Sequence, residues 1–363
     1  MDEPYYIINL SKIKKSYDLW TQYLPEVEVY YAMKCNPDKM ILEEMNKLGI
    51  KYDCASKQEI MDALEYTTAD NIIYANPCKF PEHITYSKDQ NVSLTVVDCE
   101  CELYKMSELY PSCRLLLRIA VNDENSQCAF SKKFGCKLNE VKHLLELSKQ
   151  LELNIVGFSF HVGSGCTNPS LYYDALCDCK FATIIATSLG IQIEIIDVGG
   201  GFNETNFMES AEQIQKGMKM FEDKKFISEV GRFLVEETQT LYLHVICKKK
   251  QGNRFIYYLN DGVYGSIGCK IFDHAKPIIK PAISVIKSYT FESTLYGPTC
   301  DSFDLIEENI LLPELNVGDK LYIKNFGAYT NASASHFNGY HVTKKLYLNE
   351  TNQSNFFDVF DLD

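Results

Sequence analysis

Eight times between residues 29 and 232 the chain repeats one pattern. A short, nearly unbroken apolar run is followed by a crossover, and several crossovers carry apolar residues three and four places apart. The runs are VYYAMK (29–34), YDCAS (52–56), NIIYAN (71–76), SLTVVD (93–98), RLLLRIA (114–120), IVGFSFHVG (155–163), IEIIDVGG (193–200) and KFISEVGR (225–232). Amphipathic stretches such as MILEEMNKLGI, KQEIMDALEYT and EVKHLLELSKQLE lie between them. Parallel strands need long crossovers, usually helical. Strands covered by such helices read as continuous apolar runs rather than alternating ones. The pattern therefore predicts an α/β fold with parallel strands, and eight units predict a closed (β/α)8 barrel. A doubly wound open sheet is the alternative.

After residue 239 the texture changes. LYLHVICKK, RFIYYLNDG, AISVIKSYTFEST, KLYIKNFGAY and HVTKKLYLNE are strand-like, with turns at QGN, NDG and NVGD. The expected organisation is a barrel over residues 10–239 and an all-β domain over residues 240–363, which also takes an N-terminal strand from residues 1–9. The KKK at 248–250, followed by QGNR, reads as a solvated turn. The tail NQSNFFDVFDLD reads as an ordered edge or a frayed end.

Composition excludes several classes. The net charge is −13, from 36 basic and 49 acidic residues, so nothing resembles a nucleic-acid footprint. No apolar run reaches membrane-spanning length. MDEPYYIINL lacks the basic start of a signal peptide. The fourteen cysteines are scattered without zinc spacing and are expected to be free thiols in a cytoplasmic protein, with no metal.

In a (β/α)8 barrel, chemistry sits at the C-terminal ends of the strands. Here those ends carry Lys34, then Asp53 with Glu59 following, Arg118, His161 with Gly163 and Ser164, Asp197 with Gly199–Gly200–Gly201, and Glu229 with Gly231 and Arg232. Taken alone, Lys34 reads as a solvated strand end, half of a buried ion pair, or a reactive amine. The DVGGG loop lets backbone N–H groups approach an anion, and the loops after strands seven and eight of such barrels commonly bind phosphate. A tight turn with a surface ion pair is the other reading. A lysine, a phosphate cradle, a histidine and an acid in one mouth point to pyridoxal 5′-phosphate, an aldehyde that lysine can hold covalently.

These motifs resemble the eukaryotic-type ornithine decarboxylases, within the alanine-racemase-like pyridoxal-phosphate decarboxylases. The resemblance runs through YYAMKCN (30–36), YDCASKQEI (52–60), YANPCK (74–79), KFG (133–135), GFSFHVGSG (157–165), DVGGGF (197–202), EVGR (229–232), YYLNDGVYGS (257–266), FDHAKP (272–277), YGPTCDSFD (296–304), GDKLYIKNFGAYT (318–330) and FNGY (337–340). It implies that Lys34 carries the cofactor and that Asp53 and Glu59 support the site. Arg118 would stand near the cofactor, and His161 would stack on its ring. Ser164, Gly199, Gly200, Gly201, Gly231, Arg232 and Tyr329 would contact the phosphate. Glu229 would pair the pyridine nitrogen, and Cys300 would deliver a proton to the decarboxylated substrate. Asp273 and Asp301 would recognise its distal amine, with Phe272 and Phe337 beside them. The resemblance further implies a head-to-tail homodimer with shared active sites, in which Cys300 and Asp301 face Lys34 of the other subunit and Tyr264 and Phe337 lie near the interface.

The implied substrate is a small diamino acid. Related viral arginine decarboxylases typically carry Glu where this chain has Asp273, so the expected substrate is L-ornithine, with lysine or arginine as alternatives. A non-catalytic binding homologue, akin to the antizyme inhibitors, is the reading from another class; such proteins typically lose cofactor contacts that this chain keeps. The family usually has Pro where this chain has Val230. Proline fixes φ, so Val230 is expected to leave that loop less rigid. The chain is shorter at both ends than animal enzymes, and antizyme-dependent turnover is not expected.

Overall fold

The computed structural model describes residues 3–123, 126–282 and 289–348. The chain divides into two compact units. One is Lys14–Leu234; the other comprises the described parts of Met1–Ile13 and Val235–Asp363. The first strand, β1 (Tyr5–Ile8), belongs to the second unit.

The next eight strands are β2 (Val27–Ala32), β3 (Lys51–Cys54), β4 (Ile72–Tyr74), β5 (Leu94–Val97), β6 (Arg114–Arg118), β7 (Asn154–Ser159), β8 (Ile195–Asp197) and β9 (Lys225–Val230). They form a closed barrel of parallel neighbours, completed by β9 against β2. Helices such as Lys39–Lys47, Lys57–Leu64, Val141–Gln150 and Ser170–Ser188 supply the crossovers. Strand side chains alternate between faces. One face of each strand except β3 supplies the barrel core: Tyr30, Ile73, Leu94, Val96, Leu116, Val156, Ile195 and Ile227 belong to one buried cluster.

The strands end earlier than their apolar runs. β2 stops at Ala32, and Lys34 lies on a single 3-10 turn, Met33–Cys35. β7 stops at Ser159, two residues short of His161. Lys34 is therefore not a strand end, as the sequence suggests, but belongs to the turn that leaves the ladder. Apolar composition continues past the last ladder bond because the mouth itself is enclosed: Val162, Val198 and Phe202 are all buried.

Trp20 anchors the outer layer. It is 1% exposed, its indole N–H donates to Val27 O at 3.0 Å, and it packs edge-on against Phe202 at 5.2 Å between ring centroids. Trp20→Ala is expected to destabilise the fold by about 3–5 kcal/mol, checked by denaturant unfolding. An unchanged midpoint would mean that the layer collapses into the space.

The second unit is a sheet. Its other strands are β10 (Gln239–Gln251), β11 (Arg254–Leu259), β12 (Lys280–Pro281), β13 (Phe291–Tyr296), β14 (Leu305–Leu312), β15 (Lys320–Ile323) and β16 (Lys344–Tyr347). Their order is β12-β15-β10-β11-β13-β14, and β1 pairs antiparallel with β10 and parallel with β16. Tyr6, Leu241, Leu243, Phe255, Tyr257, Leu295 and Leu321 are among its core residues. Lys248–Lys250 are rungs of β10 paired with β11, not a turn. Lys249 and Lys250 are exposed and Lys248 is half-buried, and the ammonium groups of Lys248 and Lys250 lie over the ring of Phe255. Residues 283–288 of the AISVIKS run and the tail NQSNFFDVFDLD lie outside the described residues.

Candidate active site

A period of two places every second residue of a strand on the same face. Along the inner face of β6, Leu116 is followed by Arg118; along β8, Ile195 by Asp197; along β9, Ile227 by Glu229. Asp53 is level with Ala32 and Ile73. The polar residues thus form the next layer above the apolar cluster, at the C-terminal mouth.

Lys34 Nζ lies 3.0 Å from Asp53 Oδ2. The lysine side chain is 42% exposed, whereas that of Asp53 is fully buried, so the amine is the reachable partner. Burial pushes the Asp53 carboxyl up, and Lys34 and Arg118 oppose that shift. Glu59 acts on the backbone: its carboxylate accepts the Ala55 N–H at 2.5 Å, while its own N–H donates to Ser56 Oγ at 3.2 Å. Together the Ser56 cap and the Ala55 bond tie the start of helix Lys57–Leu64 to the end of β3. Arg118, 9% exposed, lies over the Phe134 ring at 5.3 Å.

His161 Nδ1 accepts the Gly163 N–H at 2.9 Å, which leaves any ring proton on Nε2. Burial, then the charges of Arg118 and Lys34, hold the imidazole well below its ordinary pKa. The ring is therefore neutral, and Phe130 meets it edge-on at 4.9 Å. Sequence patterning does not single out Phe130, because it stands in a loop without periodicity.

The glycine loop is built for close approach. Gly199 adopts φ 65°, donates to Asp197 Oδ1 at 2.8 Å and accepts the Glu229 N–H at 2.9 Å. A Cβ on Gly200 would stand 2.6 Å from Glu229 O and 3.0 Å from His161 Nε2. Gly201 has φ 108°, and its carbonyl accepts from Asn206 Nδ2 at 3.0 Å. Buried Ser164 presents Oγ 3.5 Å from Arg232 Nη2, and buried Gly231 precedes that arginine. Burial drives Glu229 well above the ordinary carboxylate range, with Asp197 and Asp53 adding to the shift. Val230 is level with Tyr31 of β2 and is 1% exposed. Val230 is thus the last residue of β9, paired and buried.

The remaining candidates belong to the sheet unit. Tyr264 stacks on Phe337 at 4.3 Å, and its hydroxyl donates to Asp301. Asp301 Oδ1 also accepts the Phe303 N–H at 3.0 Å, and these bonds hold its carboxyl below the usual range. Cys300 is exposed, and its N–H donates to Asn338 Oδ1 at 3.0 Å. Phe272 is exposed at the end of helix Cys269–Phe272, followed by buried Asp273. Tyr329 has φ 57°.

A closed parallel barrel with a lysine–carboxylate pair, a neutral histidine and a glycine–serine–arginine cradle at one mouth defines an enzyme of the phosphorylated-aldehyde cofactor class. The residues fit pyridoxal phosphate on structural grounds: the Gly200 position has no room for a side chain, and Asp53 Oδ1 is buried without a donor among the described residues. The chain belongs to the pyridoxal-dependent decarboxylases, whose pyridoxal binding domain matches residues 10–236. It is 39% identical to ornithine decarboxylase of Schizosaccharomyces pombe over 95% of this chain and 83% of that one. It is 38% identical to antizyme inhibitor 2 of Xenopus laevis, over 95% and 81%. The arginine decarboxylase structure of Paramecium bursaria Chlorella virus superposes with a TM-score of 0.93 at 34% identity, covering 96% of each chain.

Proposed function

We propose that this chain decarboxylates L-ornithine to putrescine and CO2 with pyridoxal phosphate as cofactor. The observation that carries this reading is the Lys34–Asp53 pair set beside Glu229 and the glycine cradle in a chain of this family. Lys34 holds the cofactor through its amine. Ser164, Gly199 to Gly201, Gly231, Arg232 and Tyr329 hold its phosphate. Glu229 would pair with the pyridine nitrogen, and neutral His161 would stack on the ring without adding a competing charge. The chemistry that pyridoxal phosphate would supply there is an electron sink for the pair left by departing CO2. Cys300 Sγ then supplies the proton to Cα, and Asp273 and Asp301 pair the distal ammonium.

Fold does not choose among diamino acids, since a viral arginine decarboxylase has nearly the same backbone. The choice rests on Asp273, a buried acid at a fixed depth. Asp273→Glu extends the carboxylate by one methylene, and changes of that size alter discrimination by about 10–200-fold. The ratio of ornithine to arginine turnover is expected to fall by such a factor, measured on ornithine, lysine, arginine and diaminopimelate with product amines identified. An unchanged ratio would remove Asp273 as the length gauge.

The active form is a head-to-tail homodimer in the cytoplasm, the sheet unit of one subunit completing the other's site. None of its fourteen cysteines is paired in a disulfide. Mixing Lys34→Ala with Cys300→Ala subunits is expected to regenerate activity that neither has alone. The likeness to an antizyme inhibitor gives the non-catalytic reading its support. Retention of Lys34, Asp53, Arg118, Arg232 and Cys300 favours the enzyme; a purified chain that binds no pyridoxal phosphate and releases no CO2 would reverse that choice.

A further inference from the structure

Asp197 has no part in the roles above, yet it is 0% exposed at the same mouth. Its Oδ1 accepts the Gly199 N–H at 2.8 Å. Its Oδ2 is buried, and no N–H or O–H among the described residues donates to it. Glu229, itself 8% exposed, brings a second buried carboxyl to the same place, and each acts on the protonation of the other. Strand register explains the encounter. Asp197 is level with Ile227 across β8 and β9, and Glu229 stands two residues further along the same face. The Glu229 N–H bond to Gly199 O, at 2.9 Å, ties the two chain segments together.

Two ionised carboxylates have no donor to offer one another. Held side by side in a dry site they repel, and one retains a proton. The surrounding charges point the same way. The groups that act on the pair from neighbouring elements are Tyr30 on β2, Lys34, Asp53, Arg118 and, from helix Ser170–Ser188, Cys179. His161, beyond β7, is neutral. That sets three carboxyls against the two cations Lys34 and Arg118, and Glu59 adds a fourth carboxyl that acts on Asp53 and Lys34, so negative charge is in excess and favours a proton retained on the Asp197–Glu229 pair.

We propose that Asp197 and Glu229 hold one proton between them in the folded chain, which makes Asp197 a positioning residue that sets the protonation of Glu229. The pair titrates as a unit, and its proton belongs to neither residue alone. The consequence for the cofactor rests on Glu229 being the partner of the pyridine nitrogen: the proton count at the atom that meets the ring is then set one residue deeper, by Asp197.

The test reads the proton directly, in the full chain stripped of cofactor, so it stands or falls independently of the role of Glu229 in turnover. Infrared spectroscopy at neutral pH is expected to show the C=O stretch of an un-ionised carboxyl. The band is expected to respond to carbon-13 labelling of aspartate and, in a separate sample, of glutamate. Asp197→Asn retains an acceptor for Gly199 and offers Glu229 a donor; Glu229→Gln does the converse. The band is expected to shift or vanish in both variants, because the carboxyl that remains has lost the partner with which it shared the proton. An acid private to one residue would respond to one label only and survive one of the substitutions unshifted, and that result overturns the proposal. So does a wild-type spectrum without the band. If a variant fails to fold, the two labelled wild-type samples still decide the matter. As an independent readout, the affinity for pyridoxal phosphate is expected to lose its pH dependence around neutrality in Asp197→Asn. A profile unchanged from wild type would count against the pair.

Discussion

Lys34→Arg is expected to lower turnover by a factor on the order of 10^4 or more, the scale seen when a covalent catalyst is removed. Arginine keeps a cation beside Asp53 and preserves most of the side-chain volume. A guanidinium, however, stays protonated at all working pH values and cannot attack an aldehyde. The substitution therefore separates the two plausible uses of the residue. If Lys34 were only an ion-pair partner of Asp53, arginine would serve nearly as well. The wild-type geometry favours the reactive use: the amine is reachable, and its partner is fully buried. The check is turnover together with borohydride trapping of the cofactor on the protein. Covalent label at any other lysine, or retained activity, would remove Lys34 from the chemistry.

Cys300→Ala is expected to cost about 10²–10⁴-fold in kcat, the usual contribution of a positioned proton donor. The thiol is exposed in the described chain, so its loss leaves no core cavity, and thermal stability is expected to stay unchanged. Its backbone is nevertheless fixed: the N–H is bound to Asn338, and the neighbouring Asp301 is tied to Tyr264 and to the Phe303 N–H. A donor acting after CO2 leaves affects kcat, whereas a substrate contact affects KM. A variant with raised KM and intact kcat would therefore reassign Cys300 to binding. The same loop offers a control. Asp301 and Tyr264 support one another, so Tyr264→Phe probes the loop's geometry without touching the thiol.

Much of the barrel and its mouth was legible because the relevant signals are local. Strand period places Arg118 above Leu116 and Glu229 above Ile227 regardless of what the barrel closes around. Glycines in DVGGG announce a backbone that must turn at positive φ, as Gly199 and Gly201 do. The candidate residues, and the family they resemble, follow from such patterns and from motif order. Strand ends were less legible. Composition alone does not distinguish an apolar residue within a ladder from one in an enclosed loop, and Lys34 consequently left β2 for a 3-10 turn.

What the amino-acid order determined by itself was periodicity and local backbone preference: eight parallel units, a β-rich remainder, and polar candidates at or just after the ends of six of the eight strands. What only the tertiary structure decided was which distant residues meet. Asp53 reaches Lys34 across 19 positions of chain, Phe130 reaches the ring of His161, and Tyr5–Ile8 pairs with both β10 and β16. Asp197, marked in sequence only as a strand end, meets Glu229 because β8 and β9 lie in one particular register. The reason is physical. Alternation fixes the face on which a side chain lies, but register and barrel closure, set by the packing of the whole unit, fix its neighbour and therefore its charge.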